Sequence, residues 1–75
     1  MKEFVEYMAR GLVDDPSQVR VIEERHGDRV TIYLEVAEGD MGKVIGKQGR
    51  IAHSLRNLMK VAAMQENVRV NLEIG

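Results

Sequence analysis

The sequence predicts an α+β domain of element order α-β-β-α-α-β, a three-stranded mixed sheet covered on one face by three helices. Three observations carry that prediction. Apolar residues recur at helical spacing over residues 4–13 and again after residue 50. They alternate at the two-residue period of a strand over 30–36 and 68–74. The helical stretch joining those two strands makes a crossover, so the strands it connects run parallel.

Taken in order, Phe4, Val5, Met8, Ala9, Leu12 and Val13 form the apolar side of a first helix, with Glu3, Glu6 and Arg10 opposite. It ends near residues 11–14, and Asp14-Asp15-Pro16-Ser17 is turn chemistry. Val19 and Val21 alternate with Gln18 and Arg20, which begins a strand. His26-Gly27-Asp28 reads as a hairpin turn. Val30, Ile32, Leu34 and Val36 then alternate with Thr31, Tyr33 and Glu35 in the cleanest strand pattern of the chain. Glu38-Gly39-Asp40 breaks that strand, and Asp40 is the expected N-cap of a short helix over Met41–Ile45. Beyond a turn at residues 46–49, Ile51, Leu55, Leu58, Met59 and Ala62 share one face of a long helix. Gln65-Glu66-Asn67 closes it, and Val68, Val70, Leu72 and Ile74 alternate in a last strand.

A chain of 75 residues has room for one domain, spanning 1–75, and its small core implies modest stability. There are no cysteines, which excludes disulfides and thiolate metal sites and fits a reducing compartment. No apolar run approaches the ~20 residues that span a bilayer. Met1-Lys2-Glu3-Phe4 does not begin a signal peptide, so the expected location is the cytoplasm, with no membrane partner. The formal net charge of −1 hides an asymmetry. Residues 41–60 hold Lys43, Lys47, Arg50, Arg56 and Lys60 with no acid, whereas the remainder is acidic. Charges more than about 10 Å apart are largely screened, so the local positive field persists.

That basic segment contains Val44-Ile45-Gly46-Lys47-Gln48-Gly49-Arg50-Ile51. Two glycines three apart permit a sharp turn with no side chain over it. The N-terminus of the following helix points its N–H groups and positive dipole end the same way as Lys47 and Arg50. This is a site for a phosphodiester backbone. Gly46 alone also fits a left-handed helix cap, but a cap needs one glycine, and the second favours close approach of a ligand. Gln48 either donates to a phosphate oxygen or faces solvent. Lys43 is expected to bind as well. Gly42, inside the short helix, permits either close helix packing or ligand approach.

The order of elements, with V-I-G-K-Q-G-R-I-A from Val44 to Ala52 and Asp40-Met41-Gly42-Lys43 leading into it, resembles the type II KH domain over essentially the whole chain. In its length it is similar to the small stand-alone bacterial RNA-binding members. The resemblance implies single-stranded RNA held in a narrow groove of about four nucleotides. Gly46, Lys47, Gln48 and Gly49 would clamp the sugar-phosphate backbone, and aliphatic groups of the helix pair and adjacent strand would meet the bases. It further implies a homodimer, or a heterodimer with a larger KH-containing protein, acting as an RNA chaperone or post-transcriptional regulator. The chain departs from strongly binding members in two respects. Only one cation lies between the glycines, and Tyr33, Tyr7 and Phe4 are poorly placed to stack bases. Stacking contributes roughly 1–3 kcal/mol per base. One domain should therefore bind weakly and with loose specificity.

On the long helix Arg50, His53, Arg56 and Lys60 fall on one broad face. For Arg56 and Lys60 a solvated surface explains the pattern as well as phosphate contact does. Val61 and Met64 lie off the main apolar arc, with Ala52 and Ala63 at its opposite edge, a width that suits a partner helix. Enzyme readings find no support. Met41 and Gln48 break the Walker A spacing, and Val44 stands where a dinucleotide fingerprint needs glycine. Ser17 and Ser54 lack a His/Asp constellation, and His26 near Glu23 and Glu24 is ordinary hairpin surface rather than a metal site. No cofactor is expected. The rival to RNA binding is a protein–protein scaffold with a vestigial loop.

Overall fold

In the computed structural model, which describes all 75 residues, helix α1 (Lys2–Leu12) leads through a 3₁₀ turn at Pro16–Gln18 into strand β1 (Arg20–His26). Strand β2 (Arg29–Glu35) returns across Gly27-Asp28, and Gly27 takes the positive φ of 62° that this turn requires. A 3₁₀ turn at Glu38–Asp40, helix α2 (Met41–Ile45) and a turn at Lys47–Gly49 follow. Helix α3 (Arg50–Gln65) and strand β3 (Arg69–Ile74) complete the chain. The sheet order is β1-β2-β3, antiparallel across the hairpin and parallel between β2 and β3, as the crossover requires.

Register puts the alternating apolar residues on one face. Val21 opposes Leu34, Ile32 opposes Leu72, and Val30 opposes Val70. These meet Val5 and Ala9 of α1, Val44 of α2, and Leu55 and Met59 of α3 in one core. Ile32, Leu34 and Met59 are almost fully enclosed, and burial of each such side chain contributes roughly 1.5–3 kcal/mol. The opposite sheet face, with Ile22 and Tyr33 in cross-strand register, is open. The expected α+β architecture is therefore the observed one.

Two local expectations are corrected. Leu58 does not join the core but is 47% exposed, whereas Ala52 and Ala63 are buried rather than at the edge. At 100° per residue the buried arc of α3 is turned by roughly 60° from the arc its larger apolar residues suggest. Small side chains at 52 and 63 form part of the surface on which the helix is buried. Asp40 precedes α2, yet its side chain makes no capping bond. Its carboxylate instead accepts a hydrogen bond from the Asp15 N–H at 3.1 Å, across the fold.

The C-terminus of α3 closes with Asn67 at φ 55°, where the Asn67 and Val68 N–H groups donate to the carbonyls of Met64 and Ala63. That pairing satisfies the last carbonyls of the helix and redirects the chain into β3.

Candidate nucleic-acid interface

The bend between α2 and α3 is shaped by three positive-φ residues in a row of four. Gly46 lies at φ 78°, ψ 174°, a region essentially restricted to glycine. Gln48 (φ 58°, ψ 27°) and Gly49 (φ 73°, ψ 14°) are both left-handed. The Gly46 N–H closes α2 by donating to the Gly42 carbonyl at 2.8 Å, and the Gly49 N–H donates to the Gly46 carbonyl at 3.1 Å. No side chain caps the start of α3.

The two glycines have different reasons. A Cβ on Gly46 would stand 2.6 Å from Ile51 Cγ1 and 2.9 Å from both Ile51 Cβ and the Ile51 N, so Ile51 demands a bare backbone there. A Cβ on Gly49 would meet nothing within 4 Å. Gly49 thus serves the left-handed turn, and the space over it is open. Gly42 likewise has nothing near its missing Cβ, which removes close helix packing within the chain as its explanation.

Lys47, Gln48 and Arg50 are exposed around this bend, and Gly46 and Gly49 are half-buried beneath them. Neither Lys47 nor Arg50 takes part in any ion pair or side-chain hydrogen bond. Ile45 and Ile51 flank the bend as half-buried aliphatic surface. The loop is accordingly electropositive, open and bordered by apolar walls.

Two of the five cations in the basic segment have partners within the chain. Lys43 Nζ is held by Asp14 and lies 3.5 Å from Asp40 Oδ1. Its partners are carboxylates of its own chain, in contrast to Lys47 and Arg50, which have none. Arg56 Nη2 donates to the Leu72 carbonyl of β3 at 3.2 Å, which occupies an acceptor on an edge strand. Lys60 and His53 are exposed, and Lys60 makes no ion pair.

Behind the loop, Asp40 is the one buried charged residue, 4% exposed. Burial pushes its carboxyl up, but the N–H groups of Asp15 and Asp14 and the Lys43 ammonium outweigh that and hold it below its ordinary value. The Asp14 carboxylate is the main reason that Lys43 is raised. This cluster ties the segment after α1 to the base of α2. Sequence reasoning missed it, although an acid three residues before a lysine at a helix start was the available signal. Ile51, whose side chain dictates Gly46, stands out in the sequence only as one member of the helix's apolar face.

Val61 and Met64 are 57% and 76% exposed, and with Leu58 they follow one another at three-residue spacing along α3. No helix is long and apolar enough to cross a membrane.

Comparison with known proteins covers almost the whole chain. A family model described as KhpA/KhpB, KH domain matches residues 2–74. The RNA-binding protein KhpA of Clostridium perfringens is 50% identical over 74 residues, covering 99% of each chain. That of Caldanaerobacter subterraneus subsp. tengcongensis is 51% identical over 74 residues, with the same coverage. That of Chlamydia trachomatis is 43% identical over 99% of this chain and 95% of the relative. No solved structure matches.

Proposed function

The chain belongs to the KhpA/KhpB KH-domain family, and on that premise we propose that it binds single-stranded RNA through the Gly46–Gly49 loop and the start of α3. The names of its relatives support an RNA-binding role. The observation that carries the loop assignment is the pairing of open space over Gly49 with two cations, Lys47 and Arg50, that no carboxylate neutralises. Backbone phosphates sit at that bend, held by Lys47 and Arg50 and by the positive end of α3. Gln48, exposed at the tip, donates to a phosphate oxygen, while Ile45 and Ile51 offer apolar contact to bases. Lys43 acts from behind, by fixing α2 against Asp14, rather than as a ligand. The protein works by holding RNA in the cytoplasm, as a chaperone or post-transcriptional regulator, and not by catalysis.

A single groove without a stacking aromatic binds weakly, and pairing supplies avidity. The exposed Leu58, Val61 and Met64 stripe on α3 is the surface we assign to that pairing, with a second copy or with a larger KH-containing protein resembling KhpB.

The decisive variant is K47D/Q48D. It reverses charge at the bend while both glycines stay, and aspartate tolerates the left-handed backbone of position 48. RNA affinity should fall at least tenfold, a loss of about 1.4 kcal/mol, with an unchanged far-ultraviolet spectrum. Undiminished binding by the folded variant would remove the loop from the function.

A further inference from the structure

The outer face of the sheet points away from the helices, and one end of it carries charge that folding does not account for. His26, Arg29 and Arg69 stand abreast there, since His26 pairs with Arg29 across β1/β2 and Arg29 with Arg69 across β2/β3. All three are exposed. Neither arginine enters any ion pair. Of the nearby carboxylates, Glu24 sits beside His26 within the row, and Glu66 and Glu73 are engaged elsewhere. Glu24 lies 4.0 Å from His26 Nε2, Glu66 is held by Arg25 at 3.6 Å, and Glu73 accepts from the Asn71 amide at 2.9 Å. Asp28, before Arg29, accepts the Arg69 N–H through its backbone carbonyl, and its side chain joins no ion pair.

Like charges directly opposite each other on neighbouring strands, about 4.8 Å apart, destabilise a sheet. The Arg29–Arg69 opposition therefore works against the fold, and an anion between the two guanidiniums resolves it. The space is present, as a shallow groove of about 330 Å³ lined by Arg29, Thr31, Arg69 and Asn71 over Val30 and Val70. Guanidinium forks match phosphate oxygens in pairs, and the Thr31 hydroxyl adds a neutral donor.

We propose that Arg29 and Arg69 form a second phosphate-binding site, which takes the RNA backbone on the outer face of the sheet. The proposal rests on the RNA-binding reading above, but not on the loop. Helix α3, 16 residues and about 24 Å long, runs from the Gly46–Gly49 bend to the end of the chain segment that enters β3 at Arg69, and the row faces the opposite side of the sheet from the helices. Only RNA that continues past the loop groove, or a second strand, reaches it.

The test uses the full chain and single-stranded RNAs of about five and about twenty nucleotides, followed by fluorescence anisotropy over a series of salt concentrations. R29Q/R69Q should leave the short RNA within about twofold of the unmodified protein and weaken the long RNA by about tenfold. Its log–log salt slope on the long RNA should flatten by roughly 1.4, the value for two phosphates on a single strand. Its thermal midpoint should equal or exceed the parent's, because the like-charge opposition is gone. An unchanged slope and affinity on the long RNA overturns the proposal, as does an equal loss on the short one or a lowered midpoint. K47D/Q48D separates the two assignments. If it binds both RNAs normally while R29Q/R69Q loses the long one, the loop reading fails and the sheet site stands.

Discussion

Replacing Gly46 with alanine should be the most damaging single-atom addition in the loop, and its size can be worked from two terms. The backbone at φ 78°, ψ 174° costs a residue with a Cβ about 1–3 kcal/mol. The added methyl also stands 2.6 Å from Ile51 Cγ1 and 2.9 Å from Ile51 N, and such overpacking costs about 1–3 kcal/mol more. Relief requires a shift at the start of α3, because Ile51 Cβ and N are part of the clash and not only the far end of a side chain. The sum is about 2–6 kcal/mol, which at roughly 4–8 °C per kcal/mol lowers the thermal midpoint of a domain of this size by about 8–48 °C. Gly49→Ala is the control: its φ is also positive, at 73°, but the new methyl enters open space. That change should cost about 1 kcal/mol, or roughly 4–8 °C. Urea and thermal unfolding followed by circular dichroism measure both. If Gly46→Ala is no more destabilising than Gly49→Ala, the assignment of Gly46 to the Ile51 contact is wrong.

Further outcomes follow from the buried carboxylate and the exposed helix stripe. Asp40 titrates below the ordinary 3.8 in the folded chain, so its contribution is full above that pH and is lost as pH falls through the lowered value. Asp40→Asn should therefore be less stable than the parent at pH 7, and thermal melts should show the two curves converging as the pH falls below about 4. A constant gap between them down to pH 2 would show that the Asp40 charge is not what holds the cluster. Lys43 has the opposite sign, since its raised value keeps its contribution below 10.5 and removes it only at higher pH. Val61→Asp should convert a paired protein into an 8.5 kDa monomer, weakening self-association at least a hundredfold by placing an unpaired charge in the interface. Sedimentation velocity reads the mass, and a dimer that survives the change excludes this stripe of α3.

The fold was legible because its elements are strongly periodic. The alternation from Val30 to Leu34 and the turn residues at 26–28 and 38–40 mark β2 and its limits almost to the residue. The rotation of α3 was not, because hydrophobic periodicity weighs Leu58 above Ala52 and Ala63. Which arc is buried depends on how closely the helix approaches the sheet, and small residues favour that approach. At the site, the glycine spacing and Lys47 and Arg50 stand out in the sequence as charges beside a bend. Lys43 looked equivalent to them by composition. Its engagement by Asp14, 29 residues away, is a tertiary contact that local pattern cannot carry. Arg56 illustrates the same limit, since its acceptor on β3 is 16 residues distant. The His26–Arg29–Arg69 row emerges only once the strand register is known.

The most direct measurement is an amide chemical-shift titration of the nitrogen-15-labelled protein with a short single-stranded RNA. The largest changes should fall on residues 46–51, in fast exchange and diminished by added salt. Saturable binding that leaves those amides unmoved would contradict it.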